Sequence, residues 1–470
     1  MKSLMIIELK RLIREKYLFS FLIVFIVSLL IASYFSVVQT NEKILNRDLI
    51  TEKVRKEWEE LDNMNPHTAA HFGTYAFKPI TVLSAFDEGI NSYTGNVLRL
   101  EGHIQHDIVH SELSHFPLIS YFGKLTPSFL LQYILSVFII FIAFVTINGD
   151  KESGRLKLYV VQGAELSKIL FSKVLTVWFI SILLTVTTIS TQIFINIKYL
   201  IQDDLLRSFV LLLSYSFYYL ILILLTIYSS IVLKSAAKGL TLVLSLWFLW
   251  VIFLPRISSN ISDSIYNLPT RNELLKTMKA EREKGVDGHN PFDKKRDELK
   301  DSLLRKYNVN TIEELPINFD GVVMQADEEF GNMVWDKHYG NVNNTLISQR
   351  KANQYFNLVN PFSSLRNLSI GAAGTDLLHH LNFLKNAEEY RREFIKRLND
   401  EMAYGGSKTG EWDWKSDNKF FKSVEDLKYE QPTFSSFLSY YLLDVFSLII
   451  WVALLLFLAS SLKNKRSLAI

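Results

Sequence analysis

Apolar residues in this chain are gathered into blocks that carry almost no charge, and the stretches between the blocks are strongly polar. Six such blocks lie at 17–38, 128–148, 169–195, 209–233, 240–254 and 437–462. Each approaches the roughly 20 residues a helix needs to cross a hydrocarbon core about 30 Å thick. The pattern predicts an α-helical integral membrane protein with six transmembrane helices. The block at 240–254 is the shortest, and Trp247, Trp250 and Pro255 suit the interfacial end of a span. Overall composition would have hidden this: 49% hydrophobic with 21% charged residues fits many soluble proteins. Segregation of the two properties decides the class.

Positive charge predicts orientation. Lys2, Lys10, Arg11, Arg14 and Lys16 precede the first block. Lys151, Arg155, Lys157 and Lys168 follow the second, and Lys234 and Lys238 separate the fourth from the fifth. Lys463, Lys465 and Arg466 follow the sixth. With six spans all of these fall on one side, which the positive-inside rule makes cytoplasmic together with both termini. The short connection 196–208 faces the other side, with Lys198 and Arg207 balanced by Asp203 and Asp204. The same topology puts two extracytoplasmic domains at 39–127 and 255–436, the first mixed and irregular, the second mainly helical. Segments 149–168, 234–239 and 463–470 become cytoplasmic. The first block is expected to stay in the mature chain, because its apolar run is too long for a signal peptide and no small-residue cleavage site follows it.

Residues 1–16 admit two readings. Leu4, Met5, Leu9, Leu12 and Ile13 can face one way and Glu8, Lys10, Arg11 and Arg14 another, as in an interfacial amphipathic helix. The alternative is a charged flank that only sets topology.

In the long polar segments, Asp87-Glu88-Gly89 and Tyr93-Thr94-Gly95 signal turns. Asn290-Pro291 is expected to open a helix, Asn360-Pro361 to end one helix and start another region, and Thr311-x-x-Glu314 reads as a capping box. Segment 376–402 reads as an amphipathic helix with Leu378, Leu381, Leu384, Phe394 and Leu398 as core. Its Glu388, Glu389, Arg391, Arg392 and Lys396 read as a solvated face of i,i+4 pairs.

Candidate chemistry is sparse. The absence of cysteine excludes disulfides, thiolate metal sites and cysteine catalysis. His103, His106 and His110, spaced i, i+3, i+7, would share one face of a helix and are the candidate metal ligands. His106-Asp107-Ile108-Val109-His110 is similar to the zinc-peptidase H-E-x-x-H with Asp in place of Glu. Asp is shorter than the Glu that positions the attacking water, so polar packing, a metal or pH-sensing site, and peptidase chemistry all stay open. His379-His380 carries the same choice between packing and a site. The run Y-G-G-S-K-T at 404–409 has neither the Gly directly before Lys nor the preceding strand of a P-loop, and is expected to be a turn. No other nucleotide motif is present, so any ATPase acting on this protein must be another chain. Spans three and four are rich in hydroxyls, which in bilayers join helices to one another. Thr188, Thr191, Gln192, Ser216 and Tyr219 are the candidates to line a substrate path instead. No charged residue lies at mid-depth in any block, which argues against an ion-coupled carrier.

Segment 145–173 reads V-T-I-N-G-D-K-E-S-G-R-L-K-L-Y-V-V-Q-G-A-E-L-S-K-I-L-F-S-K: a compact charged turn and an amphipathic stretch between two spans. Asp150, Glu152, Gly154, Leu156 and Ser172-Lys173 in it resemble the first cytoplasmic loop of type-2 ABC exporter permeases, with Arg155 standing where that family usually has Thr. Segments 71–79 and 86–90, Asn360-Pro361, 374–380 and 387–391 resemble the branch of that family with large exterior insertions and unknown substrate. The resemblance implies a permease subunit in a bacterial inner membrane, without catalytic residues or a bound cofactor of its own. Asp150, Lys151, Glu152, Gly154 and Arg155 would couple it to a separate cytoplasmic ABC ATPase, which brings ATP and magnesium. A second permease copy or a paralogue, and membrane lipids, complete the implied partners; nucleic acid is not among them. Lipid, peptide, bacteriocin and polysaccharide are all compatible substrates. The competing expectation is a membrane-anchored extracytoplasmic binding or sensing protein without transport activity.

Overall fold

The computed structural model describes residues 2–106, 123–233, 235–288, 290 and 293–461. Among them, six helices are long and apolar enough to cross a membrane: Leu18–Glu59, Pro127–Glu152, Leu166–Ile195, Asp204–Val232, Ala236–Ile265 and Leu442–Ser460. This is the architecture of a multi-pass, mainly helical membrane protein. The second, third and fourth bury 67%, 56% and 67% of their apolar windows against the rest of the chain. The first, fifth and sixth bury only 28%, 17% and 22%, so their apolar faces are left to lipid or to another chain.

Two of the spans are interrupted by π-helical turns, at Leu130–Leu135 and Leu249–Phe253. A π turn displaces the backbone ladder, and its carbonyls then need other partners. Tyr219 donates its hydroxyl to the Leu131 carbonyl at 2.8 Å, and Asn360 donates its amide to the Trp250 carbonyl at 2.9 Å. The second of these turns sits just ahead of Pro255, which cannot donate a backbone hydrogen bond.

The first span does not stop at the membrane boundary expected near residue 38. Its helix runs unbroken from Lys16 to Glu59, 44 residues, or about 66 Å. At its far end Trp58 donates to the Phe421 carbonyl at 2.8 Å and packs against Phe394 and Phe421. The two long polar segments therefore share cores. Trp58, Ala69 and Ala70 of the first pack with Phe394, Ile395, Leu398, Phe421 and Val424 of the second. Ala76, Leu98 and Leu100 pack with Phe383 and Ala387. The strands Thr74–Phe77 and Val97–Leu100 pair antiparallel, Thr74 opposite Leu100 and Phe77 opposite Val97, which turns those three residues onto the helix. Helix Phe319–Phe356 lies along helix Leu377–Tyr404, and its far end is tied to the sixth span where Gln354 and Asn357 donate to buried Asp444, which also accepts from Asn367 of the next helix, Pro361–Ala373.

Several local expectations change. The helix expected to open at Asn290-Pro291 begins at Lys294, capped by Asp293, and Pro291 lies outside the described residues. Thr311 makes no cap hydrogen bond, and Glu314 accepts from the Asn310 amide instead, so the capping box is absent there. Full capping boxes stand at Thr270–Glu273 and Thr81–Ser84. Helix Phe319–Phe356 ends just before Asn360, as expected, and Asn360 caps a further helix, Pro361–Ala373. The supposed solvated face of 376–402 is half wrong: Arg391 is 1% exposed, bonded to Glu388 at 2.8 Å and Glu328 at 3.1 Å. Burial works against its charge, but the two carboxylates more than offset that and hold its pKa above the ordinary value. Leu381 and Leu384 are only half-buried, and Phe383 and Ala387 take the inner positions.

Candidate functional site

The connection between the second and third spans is more ordered than a charged turn. The helix of the second span continues through Asp150 to Glu152. Gly154 then reverses the chain at φ +72°, a conformation that L residues with a Cβ rarely adopt. A seven-residue helix, Arg155–Val161, follows, and Gly163 reverses the chain again at φ +89° before the third span begins at Leu166.

Asp150 is 2% exposed, because the helix carries it inward rather than out to a partner. Its carboxylate lies 2.6 Å from Lys173, 2.7 Å from Arg155 and 3.4 Å from Arg11. Lys173 also meets Glu8 at 2.9 Å and donates to the Thr146 carbonyl at 2.9 Å. Arg11 pairs with Glu8 as well. Glu8, Arg11, Asp150, Arg155 and Lys173 thus form one ion-pair node that joins the N-terminal helix Lys2–Arg14, the second span, the short helix and the third span. Charges taken out of water need both counter-charge and hydrogen bonds. Alternation of sign across four elements supplies both here. The N-terminal helix does form, with Leu12 buried, Leu4, Met5 and Leu9 half-buried and Lys10 and Arg14 exposed; it departs from the expected faces in turning Glu8 inward and leaving Ile13 exposed.

Lys151 points elsewhere. It donates to the carbonyls of Ser230 at 2.7 Å and Leu233 at 3.4 Å, where the fourth span ends. A cation there satisfies orphan carbonyls and complements the helix dipole. Leu156 is buried and anchors the short helix, whereas Glu152, Lys157, Leu158 and Val161 face outward, the last two 53% and 73% exposed. Of the five expected coupling residues, Asp150 is buried, Lys151 and Arg155 are partly exposed but bonded inward, and Glu152 and Gly154 lie on the surface. Sequence reasoning missed Arg11 and Lys173 as partners of Asp150 and Glu8 as the acid that shares them, and missed Leu158 and Val161 as the exposed apolar pair. Lys173 carried the available signal: a lone lysine inside an apolar run requires a counter-ion.

The substrate-path candidates do not converge. Gln192 donates to Ser33 at 2.8 Å and accepts from Ser36 at 3.3 Å, tying the third span to the first. Tyr219 is spent on the π turn of the second span, and the Ser216 carbonyl accepts from Trp178 at 3.0 Å. Thr188 and Thr191 bond back to Leu184 and Thr187 of their own helix, with Thr191 near the outer surface. Among the five, the Gln192 and Tyr219 side chains join helices.

The expected metal set also changes. His103 has φ +64° in a non-helical segment, so no helical face unites it with His106. His106 pairs with Glu101 at 2.7 Å, and His110 lies outside the described residues. His103 instead meets His67 and His71, which sit i, i+4 on helix Pro66–Phe72, with ring centroids 5.3 and 5.2 Å away. The ligand-capable nitrogens of these three lie within 4.8 Å of one another. Glu328 accepts from the His103 amide at 2.5 Å and lies 3.0 Å from its Nδ1. Burial works against the Glu328 charge, but His103 and Arg391 hold its carboxyl down to about 2. His379 bonds to Asp376 at 2.6 Å, which also accepts from Tyr441 at 2.7 Å, a buried structural link. The turn at 404–409 caps helix Phe319–Phe356, Thr409 accepting from the Phe319 amide at 3.0 Å.

Residues 274–429 match a family described as a domain of unknown function (DUF3526). No curated protein and no solved structure matches the chain.

Proposed function

We propose that this chain is the membrane-spanning permease subunit of an ATP-driven exporter in a bacterial inner membrane, worked by a separate cytoplasmic ATPase. One observation carries the reading. A short helix stands between two spans, set by two left-handed glycines, braced from behind by an ion-pair node, and presents Leu158 and Val161 outward. A connector held this firmly and apolar on its free side suits a groove on a soluble partner.

In this reading the side carrying the short helix and both termini is cytoplasmic, and segments 39–127 and 255–436 are extracytoplasmic. Closure of an ATPase dimer pushes the short helix. The node passes the push to the N-terminal helix and to the second and third spans, and Lys151 passes it to the end of the fourth. Packed helices then shift between discrete arrangements. The thinly covered first, fifth and sixth spans give a second copy or a paralogue its place, with lipid over the rest. The substrate path lies between the two membrane subunits, and this chain supplies neither catalytic residues nor a cofactor.

The test is capture from mild detergent of native chain beside Leu158→Glu/Val161→Glu. Loss of a co-purifying ATP-binding chain in the variant, with the variant still monodisperse, supports the reading. If the native chain brings down no ATPase, a membrane-anchored binding protein becomes the better account; if the variant brings it down equally, the short helix is not the docking face. Reversing Asp150 would be a poor probe, because it breaks the node rather than the docking face.

A further inference from the structure

We infer that His67, His71 and His103 form a binding site for a divalent transition-metal ion of the zinc class. The inference stands apart from the transport reading and would hold for any role of the polar segments.

The geometry is that of a ligand set. His67 and His71, one helical turn apart, project from the same face of helix Pro66–Phe72, whose start is held by Asn65 accepting from the His67 and Thr68 amides. Their Nε2 atoms are 3.4 Å apart. A tetrahedral zinc ion at about 2.0–2.1 Å from each nitrogen places its ligands about 3.3–3.4 Å apart. The third imidazole is delivered by backbone rather than by helix. Gly102 donates to the Ala70 carbonyl at 2.9 Å, and a Cβ on Gly102 would meet that of Ala70 at 3.3 Å, so the chain passes close over the helix. The next residue, His103, is then held at positive φ, an unusual conformation for a residue with a side chain. Its amide bond to Glu328 helps hold it there.

Glu328 also lies 3.0 Å from His103 Nδ1. A carboxylate behind a ligating imidazole is the usual outer partner of such a ligand, orienting the ring and raising its basicity. Arg391 in turn holds Glu328. A donor set of three imidazoles suits zinc, copper or nickel and does not suit calcium or magnesium, which take oxygen ligands. Three protein nitrogens leave a fourth tetrahedral position for water or another ligand. All three ligands lie in the first polar segment, and Glu328, in the matched region 274–429, braces the site from the second.

The experiment uses the full chain in detergent, stripped with a chelator and then titrated with zinc alone by calorimetry and with cobalt(II) alone by visible absorption. Native protein should bind one ion per chain and show the intense visible bands of tetrahedral cobalt. His71→Ala changes the most exposed of the three ligands and is the variant least able to disturb folding; it should lose the stoichiometric site and the bands. His338→Gln, at a histidine paired with Glu281 elsewhere, should bind as the native chain does. Glu328→Gln should weaken binding by roughly ten- to a hundredfold. Metal-free thermal transitions of native and His71→Ala protein are compared first to establish that the fold is equal. Absence of saturable binding by the native chain, or unchanged binding by His71→Ala, overturns the inference.

Discussion

The Lys173 ammonium lies 2.6 Å from the Asp150 carboxylate and 2.9 Å from that of Glu8, so a single buried cation neutralises acids from two other helices. Lys173→Met leaves both carboxylates short of a partner and should lower stability by about 3–5 kcal/mol. Asp150→Leu should cost less, since Lys173 keeps Glu8. Combining Lys173→Met with Asp150→Leu should recover part of the single-variant loss. Thermal unfolding in detergent of the two singles and the double gives the coupling. Strict additivity would show that the pair does not act as described.

Gly154 has φ +72°, and a Cβ built there meets nothing within 4 Å. The cost of Gly154→Ala is then purely conformational, about 1–2 kcal/mol, while Gly154→Asn, a residue that tolerates this region, should be close to neutral. Melting temperatures of the two variants separate conformational cost from crowding, because crowding would penalise Asn more than Ala.

Two buried basic groups predict an acid-sensitive fold. Burial pushes Lys78 from 10.5 down to about 7, and burial with the nearby Lys78 charge pushes His380 from 6.5 down to about 3. Each binds more protons unfolded than folded between its two values, so stability rises with pH across both windows. For His380 that stability is lost as pH falls from 6.5 toward 3. Replacing His380 by Phe should flatten the fall of melting temperature in that window and leave the rise between 7 and 10.5 due to Lys78 in place. An unchanged slope below pH 6.5 in the variant would show that other groups set the acid limit.

Neighbouring arginines on one helix should behave oppositely. Arg391 is 1% exposed and holds Glu328 and Glu388, so Arg391→Met should cost about 3–5 kcal/mol. Arg392 has a side chain 27% exposed and pairs partly with Asp336, itself 59% exposed, so Arg392→Ala should cost at most about 1 kcal/mol. Parallel thermal melts test the contrast; equal losses would mean that burial is not what distinguishes the two.

Helix ends show how far local signals reach. The helix boundary at Asn360-Pro361 was legible because a cap acts within a few residues, whereas the first span's helix runs past its expected end near residue 38 to Glu59. Thr270–Glu273 carried the same capping-box pattern as Thr311–Glu314, yet only the former closes. At Thr311 a 3₁₀ turn forms instead, and Glu314 turns to the Asn310 amide. The histidines show the opposite limit. Spacing grouped His103 with His106, but a positive φ at His103 broke the helical face on which that grouping depended. Its partners His67 and His71 come from a separate helix.

The amino-acid order alone was enough for the six membrane-crossing helices, since each apolar run must satisfy its own backbone in hydrocarbon whatever its neighbours do. It also marked 145–173 as the unusual connector, because charge so close to two spans is visible without a partner. Which charges face each other was settled by packing. Glu8 and Lys173 are 165 residues apart, as are Arg207 and the Ala372 carbonyl that accepts from it at 3.1 Å. A buried ion is stable only where another element delivers its counter-charge, and that delivery depends on how helices cross. For the same reason Asp150 and Arg391, polar by composition and expected at the surface, became internal.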